Sequence, residues 1–258
     1  MTAVEFEDAY RENVPIILGV SGGTGSGKTC TAMRLATGLS GGKPFVVIDT
    51  ERGRAKLFAP KKGEEPKSPE SFRFKTKEIE APFTPSQYGE FIEAADNAGY
   101  PVIVVDSMSH EHAGEGGLLD MHDAEIKAAI ARARKYNDTR PEWEIEKAHN
   151  MAAWIKPKGE HKKMMQKLLR VRAHLILCFR AEAKVEMVKE GRKWVVAPKQ
   201  SVVGLEGWIP VGEKNIPYEL TASWLLTANQ PGVPKAINKM PAAFARFVPM
   251  DKPITEEA

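Results

Sequence analysis

Cysteine is nearly missing from this chain. Cys30 and Cys178 are the only 2 in 258 residues, and they are far apart and outside any CxxC spacing. That excludes a disulfide framework and a cysteine-based zinc site, and it fits a reducing compartment. Long apolar runs are absent too, since none approaches the roughly 18 residues that a membrane span needs. The stretch from Met1 to Arg11 carries Glu5, Glu7 and Asp8 where a secretory signal would carry basic residues and then an apolar run. A cytoplasmic protein with no membrane partner is therefore expected.

What is present is ample material for one large core, with 42% hydrophobic and 28% charged residues. The net charge of +3 is unevenly spread. Between Lys156 and Arg172 seven Lys/Arg face one acid, Glu160, a local +6 that leaves the rest of the chain at −3. A local basic segment in a mildly acidic remainder points to a polyanion more sharply than a uniformly basic chain would.

The apolar run Val14 to Ser21 leads into Gly22-Gly23-Thr24-Gly25-Ser26-Gly27-Lys28-Thr29, and then Ala32, Leu35, Ala36 and Leu39 fall at helical spacing up to Gly41-Gly42. Strand, glycine loop and helix in this order are the context in which a P-loop binds phosphates. Backbone N–H groups of Gly22 to Cys30 would cradle the phosphates at a helix N-terminus. Lys28 would reach the β- and γ-phosphates, and the Thr29 hydroxyl would ligate Mg²⁺.

Two more apolar runs end in acids: Phe45 to Asp49, and Val102 to Asp106. Asp106 is the natural second Mg²⁺ group, with Ser107 beside it. Glu51, two residues past Asp49, is the candidate for the carboxylate that polarises the attacking water. The alternative for Glu51 is an ion pair with Arg52 or Arg54.

Further along, Pro60 to Pro69 reads as a solvated loop, and Phe72, Phe74 and Thr76 as a short strand. Thr84-Pro85-Ser86-Gln87 has the form of a capping box for a helix that buries Tyr88, Phe91, Ile92 and Ala95 and stops at Gly99. Two helical stripes follow, Leu119/His122/Ile126/Ala129/Ala133 and Ala148/Met151/Ala152/Ile155. The basic segment, with Met164, Leu168 and Leu169 as its apolar side, then leads to a strand from His174 to Phe179. Val185 to Val196 reads as a hairpin around Glu190-Gly191, Tyr218 to Leu226 and Lys235 to Val248 as strand-like runs, and Met250 to Ala258 as a frayed tail. Alternating strands and helices predict an α/β fold with a mostly parallel sheet and antiparallel strands near its end. His110 and His112 lie close to Asp106, but two histidines at i, i+2 lack a third ligand, so a structural role is expected and nucleotide-bound Mg²⁺ is the only metal anticipated.

The blocks Ile48-Asp-Thr-Glu-Arg-Gly53, Ala81-Pro-Phe-Thr-Pro85 and Asp106-Ser-Met-Ser-His-Glu111 leading to Gly116-Gly-Leu-Leu119 resemble the RecA-type recombinase core. The likeness is closer to the short phage RecA-like ATPases of single-strand annealing and recombination. It covers about residues 14 to 245 of a chain read as one domain, 1 to 258. It implies a P-loop NTPase with a RecA-like core, using ATP and Mg²⁺, with Lys28, Thr29, Glu51 and Asp106 as the ATPase centre, working in the host cytoplasm if phage-encoded.

Arg180 falls where recombinases usually carry a γ-phosphate-sensing glutamine. An arginine can pair with a phosphate but cannot accept a hydrogen bond, so this is a departure from the family pattern. Asn238-Lys239-Met240 resembles the late lysine segment that reaches a neighbouring subunit's ATP, which implies a homo-oligomer, filament or ring, with Lys239 acting in trans. The two stretches matching the DNA loops, Trp154 to Lys167 and Ala181 to Gln200, would place Lys156, Lys158, Lys162, Lys163 and Lys184 on phosphates and Trp154 and Trp194 on unpaired bases. DNA-stimulated ATP hydrolysis on single-stranded DNA, in annealing or homologous recombination and alongside a single-strand binding protein, is the resulting expectation. A DNA motor or loader for replication or packaging, and a small-molecule kinase, are the alternatives. Arg132, Arg134 and Arg140 lie in an ordinary amphipathic region rather than an arginine-rich lid, which speaks against the kinase.

Overall fold

The computed structural model describes residues 8–9, 14–191, 193–199 and 207–258. Most of the acidic N-terminal stretch and Gln200 lie outside the described residues, as does the side chain of Asn238. In chain order the elements begin with β1 (Ile17–Gly22), α1 (Lys28–Leu39), β2 (Phe45–Asp49), a 3-10 turn (Arg54–Phe58), β3 (Phe74–Glu78), α2 (Pro85–Asn97) and β4 (Val102–Asp106). Four helices follow: α3 (Ser109–Ala113), α4 (Leu118–Lys135), α5 (Glu142–Ala153) and α6 (Ile155–Leu168). The rest comprises β5 (His174–Ala183), β6 (Val185–Glu190), β7 (Lys193–Pro198), β8 (Trp208–Pro210), α7 (Ile216–Glu219), β9 (Ala222–Thr227), β10 (Gln230–Lys239) and α8 (Ala242–Ala245).

The main sheet runs β10-β9-β1-β5-β4-β2-β3, parallel except for β10, and β8 joins β5 antiparallel. This is the expected P-loop α/β fold, with a mostly parallel sheet between helices and antiparallel strands appended. Strands β1, β2 and β4 are buried along their whole length. Continuous apolar runs, rather than alternating ones, are what a sheet covered on both faces demands.

Alternate residues face two cores. Ile48, Ile103, Val105, Leu175 and Leu177 pack with α2 and α6 through Tyr88, Ile92, Met164 and Leu168. Val20, Val47, Val104, Ile176 and Trp224 pack on the other side with Ala32, Met33 and Ala36 of α1. Each such side chain taken fully from water contributes about 1.5–3 kcal/mol, so the sheet's central strands anchor everything at its edge.

The Thr84 cap forms, its hydroxyl accepting the Gln87 N–H at 3.3 Å. Only half of the box is present, because Gln87 Oε1 is buried without a partner. Other expectations need correction. In α5 the buried residues are Ile145 and Ala153, whereas Met151 of the expected stripe is 84% exposed and Ile155, opening α6, 74%. In α4 Leu118 replaces Leu119 inside, and Leu169 lies outside the buried face of α6. Tyr218 belongs to the short helix α7, and the run after Lys239 turns into α8 rather than continuing as strand.

The tail is not frayed. Ile254 is fully buried, its N–H donates to Gly232 O at 3.0 Å, and Glu256 accepts from Arg34 of α1 at 3.0 Å. No described helix is long and apolar enough to cross a membrane.

Candidate functional site: a phosphate-binding cleft

Parallel strands deliver their C-terminal ends to one edge of the sheet, and in open α/β sheets the ligand crevice forms there. A cavity of about 590 Å³ opens at this edge, lined by Gly22 to Cys30, Asp49, Glu51, Arg54, Leu57, Phe58, Asp106 and Arg180 to Glu182. The expected residues Lys28, Thr29, Glu51, Asp106 and Arg180 therefore come together.

Gly27 caps α1 with φ +84°, a left-handed conformation that disfavours a side chain, and an added Cβ would stand 2.8 Å from the Gly232 nitrogen. The loop thus closes against the start of β10 while the 12-residue helix α1 points its free N–H groups into the cleft. Lys28 Nζ donates to Gly23 O at 2.8 Å, folded along the inside of the loop.

Thr29 Oγ1 donates to Asp106 Oδ2 at 2.5 Å. Burial pushes the Asp106 carboxyl up to about 6, partly offset by the Thr29 hydrogen bond and raised further by the nearby Glu51 charge. A hydroxyl and a reluctantly ionised carboxylate held together at a helix N-terminus form an oxygen donor pair suited to a hard divalent cation. The residues present therefore fit a nucleotide triphosphate with Mg²⁺.

The β2 end is built differently. Asp49 lies beside Asp106 in the parallel ladder, yet its carboxylate accepts the N–H groups of Glu51 at 2.5 Å and Ala55 at 2.8 Å. Asp49 thereby shapes the turn that aims Glu51 into the cleft. Glu51 Oε1 accepts from Arg180 Nη2 at 2.9 Å and Oε2 from Arg54 Nη1 at 3.1 Å. Burial pushes this carboxyl up, but the hydrogen bond and charge of Arg180, with Arg54 and His110, outweigh it and leave the carboxyl below its ordinary value. The Arg54 ion pair considered from the sequence is thus formed together with the cleft position.

His110 Nδ1 lies 2.6 Å from Thr50 Oγ1, and its ring stacks on Phe83 at 4.9 Å. The Thr50 hydroxyl also accepts the Ser107 N–H at 2.8 Å, tying the β2 end to the β4 end.

Leu57 and Phe58 line the cleft without having been singled out in the sequence. The available signal was an apolar pair, Leu57-Phe58, directly behind a charged stretch.

The other expected residues lie elsewhere. Lys239 sits at the ladder position of Ser223, at the opposite end of the sheet from the P-loop, with Nζ donating to Tyr218 O at 2.8 Å. The basic segment forms α6 and its flank, and its charges are largely matched. Lys156 pairs with Glu125 at 2.9 Å, Lys163 with Glu160 at 2.8 Å, and Lys158 lies 3.8 Å from Glu213. Lys162 faces a small cavity beside Glu213 and Asn215. The Trp154 ring stacks on His122 at 4.4 Å, whereas Trp194, on the β6–β7 hairpin, is 64% exposed. Lys184, at the hairpin base, lies 3.6 Å from Glu182.

Among solved structures the chain is similar to the KaiC-like protein PH0186 from hyperthermophilic archaea Pyrococcus horikoshii OT3, at 13% identity over 83% of this chain and 72% of that one, with a TM-score of 0.33. No curated protein matches. The family described as an AAA domain matches residues 15–205, from the start of β1 past the hairpin and through every residue of the cleft. That is well over half of the sequence, and the chain belongs to this AAA domain family as a nucleotide-binding P-loop ATPase.

Proposed function

We propose that this ATPase hydrolyses ATP in response to single-stranded DNA and promotes annealing or homologous recombination as a homo-oligomer. The reading is supported above all by β5. This one strand carries Arg180, Ala181 and Glu182 along the cleft and then runs directly into the hairpin that presents exposed Trp194, with Lys189 as its cross-strand neighbour and Lys193 beside it. A base stacked on Trp194, with phosphates on Lys184, Lys189 and Lys193, would bear on the strand that lines the cleft. The matched charges of α6 shift the weight of DNA contact from Lys156, Lys158, Lys162, Lys163 and Trp154 toward this hairpin.

In hydrolysis Lys28 would hold the β- and γ-phosphates and Thr29 and Asp106 the Mg²⁺, which when bound supplies charge neutralisation of the phosphates. Glu51 takes the proton of the attacking water. Lys239 is too far from its own chain's loop to act there, which is consistent with a role toward a neighbouring subunit in a filament or ring. A phage origin, host cytoplasm and a single-strand binding protein as partner belong to the same proposal.

The test is ATP turnover of the purified protein with and without single-stranded DNA, beside Lys28→Ala and Glu51→Gln. Stimulation by DNA that both substitutions remove is expected. Turnover indifferent to DNA would overturn the DNA part, and Glu51→Gln at full rate would remove Glu51 from the chemistry.

A further inference from the structure

Both oxygens of the Glu51 carboxylate face guanidinium groups, and the two arginines are unlike. Arg54 comes from the adjoining turn, its side chain 71% exposed against 49% for Arg180, so water screens it more. Arg180 arrives across the sheet, opposite Gly22 in the β1–β5 ladder, on the strand that flanks the phosphate loop. Its backbone is fixed at both polar groups. The N–H donates to Ser109 Oγ at 2.9 Å, and the carbonyl accepts the Val211 N–H at 2.7 Å. The side chain is the part that can move. A guanidinium cannot shed its charge, so a terminal phosphate in the loop and the Glu51 carboxylate compete for one cation.

We propose that Arg180 is a latch on Glu51, a positioning residue that exchanges partners when a nucleoside triphosphate binds. Without the terminal phosphate it holds Glu51 Oε1, whose lone pairs then face Arg180 and not water. With the triphosphate in place the guanidinium transfers to the terminal phosphate and releases Oε1. The water oxygen bonds to the terminal phosphorus while the bond to the bridging oxygen breaks, its electron pair staying on the diphosphate, and the water's proton passes to Oε1. A diphosphate presents no terminal phosphate at that position, so after release of inorganic phosphate the guanidinium returns to Glu51. An arginine that must leave one anion for another makes the base available only when substrate is present, a task that a hydrogen-bond-accepting side chain at this position could not perform by charge.

The inference rests on Glu51 as the water-polarising carboxylate, so the experiment separates the two claims. Affinities for a non-hydrolysable triphosphate analogue and for the diphosphate are measured on the full chain and on Glu51→Gln, Arg180→Ala and the double variant, with thermal unfolding as the control for folding. Arg180→Gln replaces Arg180→Ala if the latter unfolds. If partners exchange, Glu51→Gln frees Arg180 and tightens the triphosphate analogue by about fivefold while the diphosphate changes by less than about twofold. That gain disappears when Arg180 is also replaced. A merely structural Arg180 would not discriminate between the two nucleotides.

The latch is overturned if the gain is absent, equals that for the diphosphate, or persists without Arg180, since persistence would mean simple removal of a negative charge. Turnover of Glu51→Gln is read separately. A full rate overturns the base assignment, while loss of turnover without the coupling overturns the latch alone.

Discussion

In the cleft, Asp49, Glu51 and Asp106 are drawn to the ends of two adjacent strands, and each carboxylate has a named partner in a backbone N–H, an arginine or a hydroxyl. On the outer face of α5 and the start of α6, Trp143, Met151 and Ile155 stand in solvent, while Ile145 and Ala153 of α5 and Met164 of α6 are buried. The first region concentrates polar groups where burial makes them costly and pairs all of them. The second leaves apolar groups where their exposure costs folding nothing. The contrast separates what must be right for chemistry from what packing merely tolerates. Substitutions should therefore act in opposite ways in the two places, strongly on turnover and weakly on folding in one, and the reverse wherever the helical region closes over buried charge.

Asp106→Asn gives the largest effect. Removing the carboxylate that shares a hydrogen bond with Thr29 is expected to lower ATP turnover by at least about 100-fold, as loss of one charge-stabilising group does in other enzymes. Steady-state hydrolysis over a range of Mg²⁺ concentrations checks it. A variant at more than a tenth of the wild-type rate would take Asp106 out of the metal site.

The helical region has one place where a substitution should unfold rather than inactivate. Glu111, fully buried on α3, accepts from His161 of α6 at 2.9 Å. Taking the carboxylate away leaves the buried His161 ring nitrogen without its partner, at a cost of about 1–3 kcal/mol. Glu111→Ala should lower the denaturation midpoint accordingly, whereas Met151→Ser, on the exposed stripe, should change stability by less than about 0.5 kcal/mol. Equal effects of the two would erase the distinction between the regions.

How much of this was legible in the sequence follows the same divide. β2 and β4 were readable to the residue because a strand buried on both faces is a run of Val and Ile that stops at an acid, and that signal is local. α5 was misread because Ala148, Met151, Ala152 and Ile155 do fall at helical spacing, but periodicity reports a stripe and not which side of it the rest of the chain occupies. The tail was misread for a related reason. Ile254 and Glu256 are held by Gly232 and Arg34, contacts that no local window contains. Glu51 and Arg180 were each visible as candidates, but their pairing depends on β5 lying between β1 and β4, a fact of sheet order.

The pH dependence of stability sharpens the cleft side of the comparison. Burial holds the Asp106 carboxyl in the folded protein at about 6, well above its ordinary value, so its contribution to folding is full below about pH 4 and is lost as pH rises through 6. By pH 7 the buried charge costs about 3 kcal/mol relative to pH 4 in the absence of a cation. Asp106→Asn lacks this slope, so the variant that loses turnover should gain stability over wild type as pH rises from about 4 to 6, read as diverging unfolding midpoints. Parallel midpoints would show that Asp106 is not strained in this way.

Trp194 supplies the smallest effect on folding and the sharpest test of why an aromatic stands in water. The hairpin carries Val185, Met187, Trp194 and Val196 on one exposed face. A two-stranded ribbon gains little from its own cross-strand contacts. Trp194→Ala should therefore shift global stability by less than about 0.5 kcal/mol. If the ring stacks on an unpaired base, the same substitution weakens single-stranded DNA binding by about 1–3 kcal/mol, roughly 5- to 150-fold, with the salt dependence kept because the lysines remain. Fluorescence titration of Trp194→Ala at two salt concentrations reads both quantities. A lowered affinity with an unchanged salt slope assigns the loss to stacking. An unchanged affinity removes the hairpin from the DNA contact, and an exposed tryptophan with no effect on folding or DNA would then belong, like Met151, to the surface that packing tolerates.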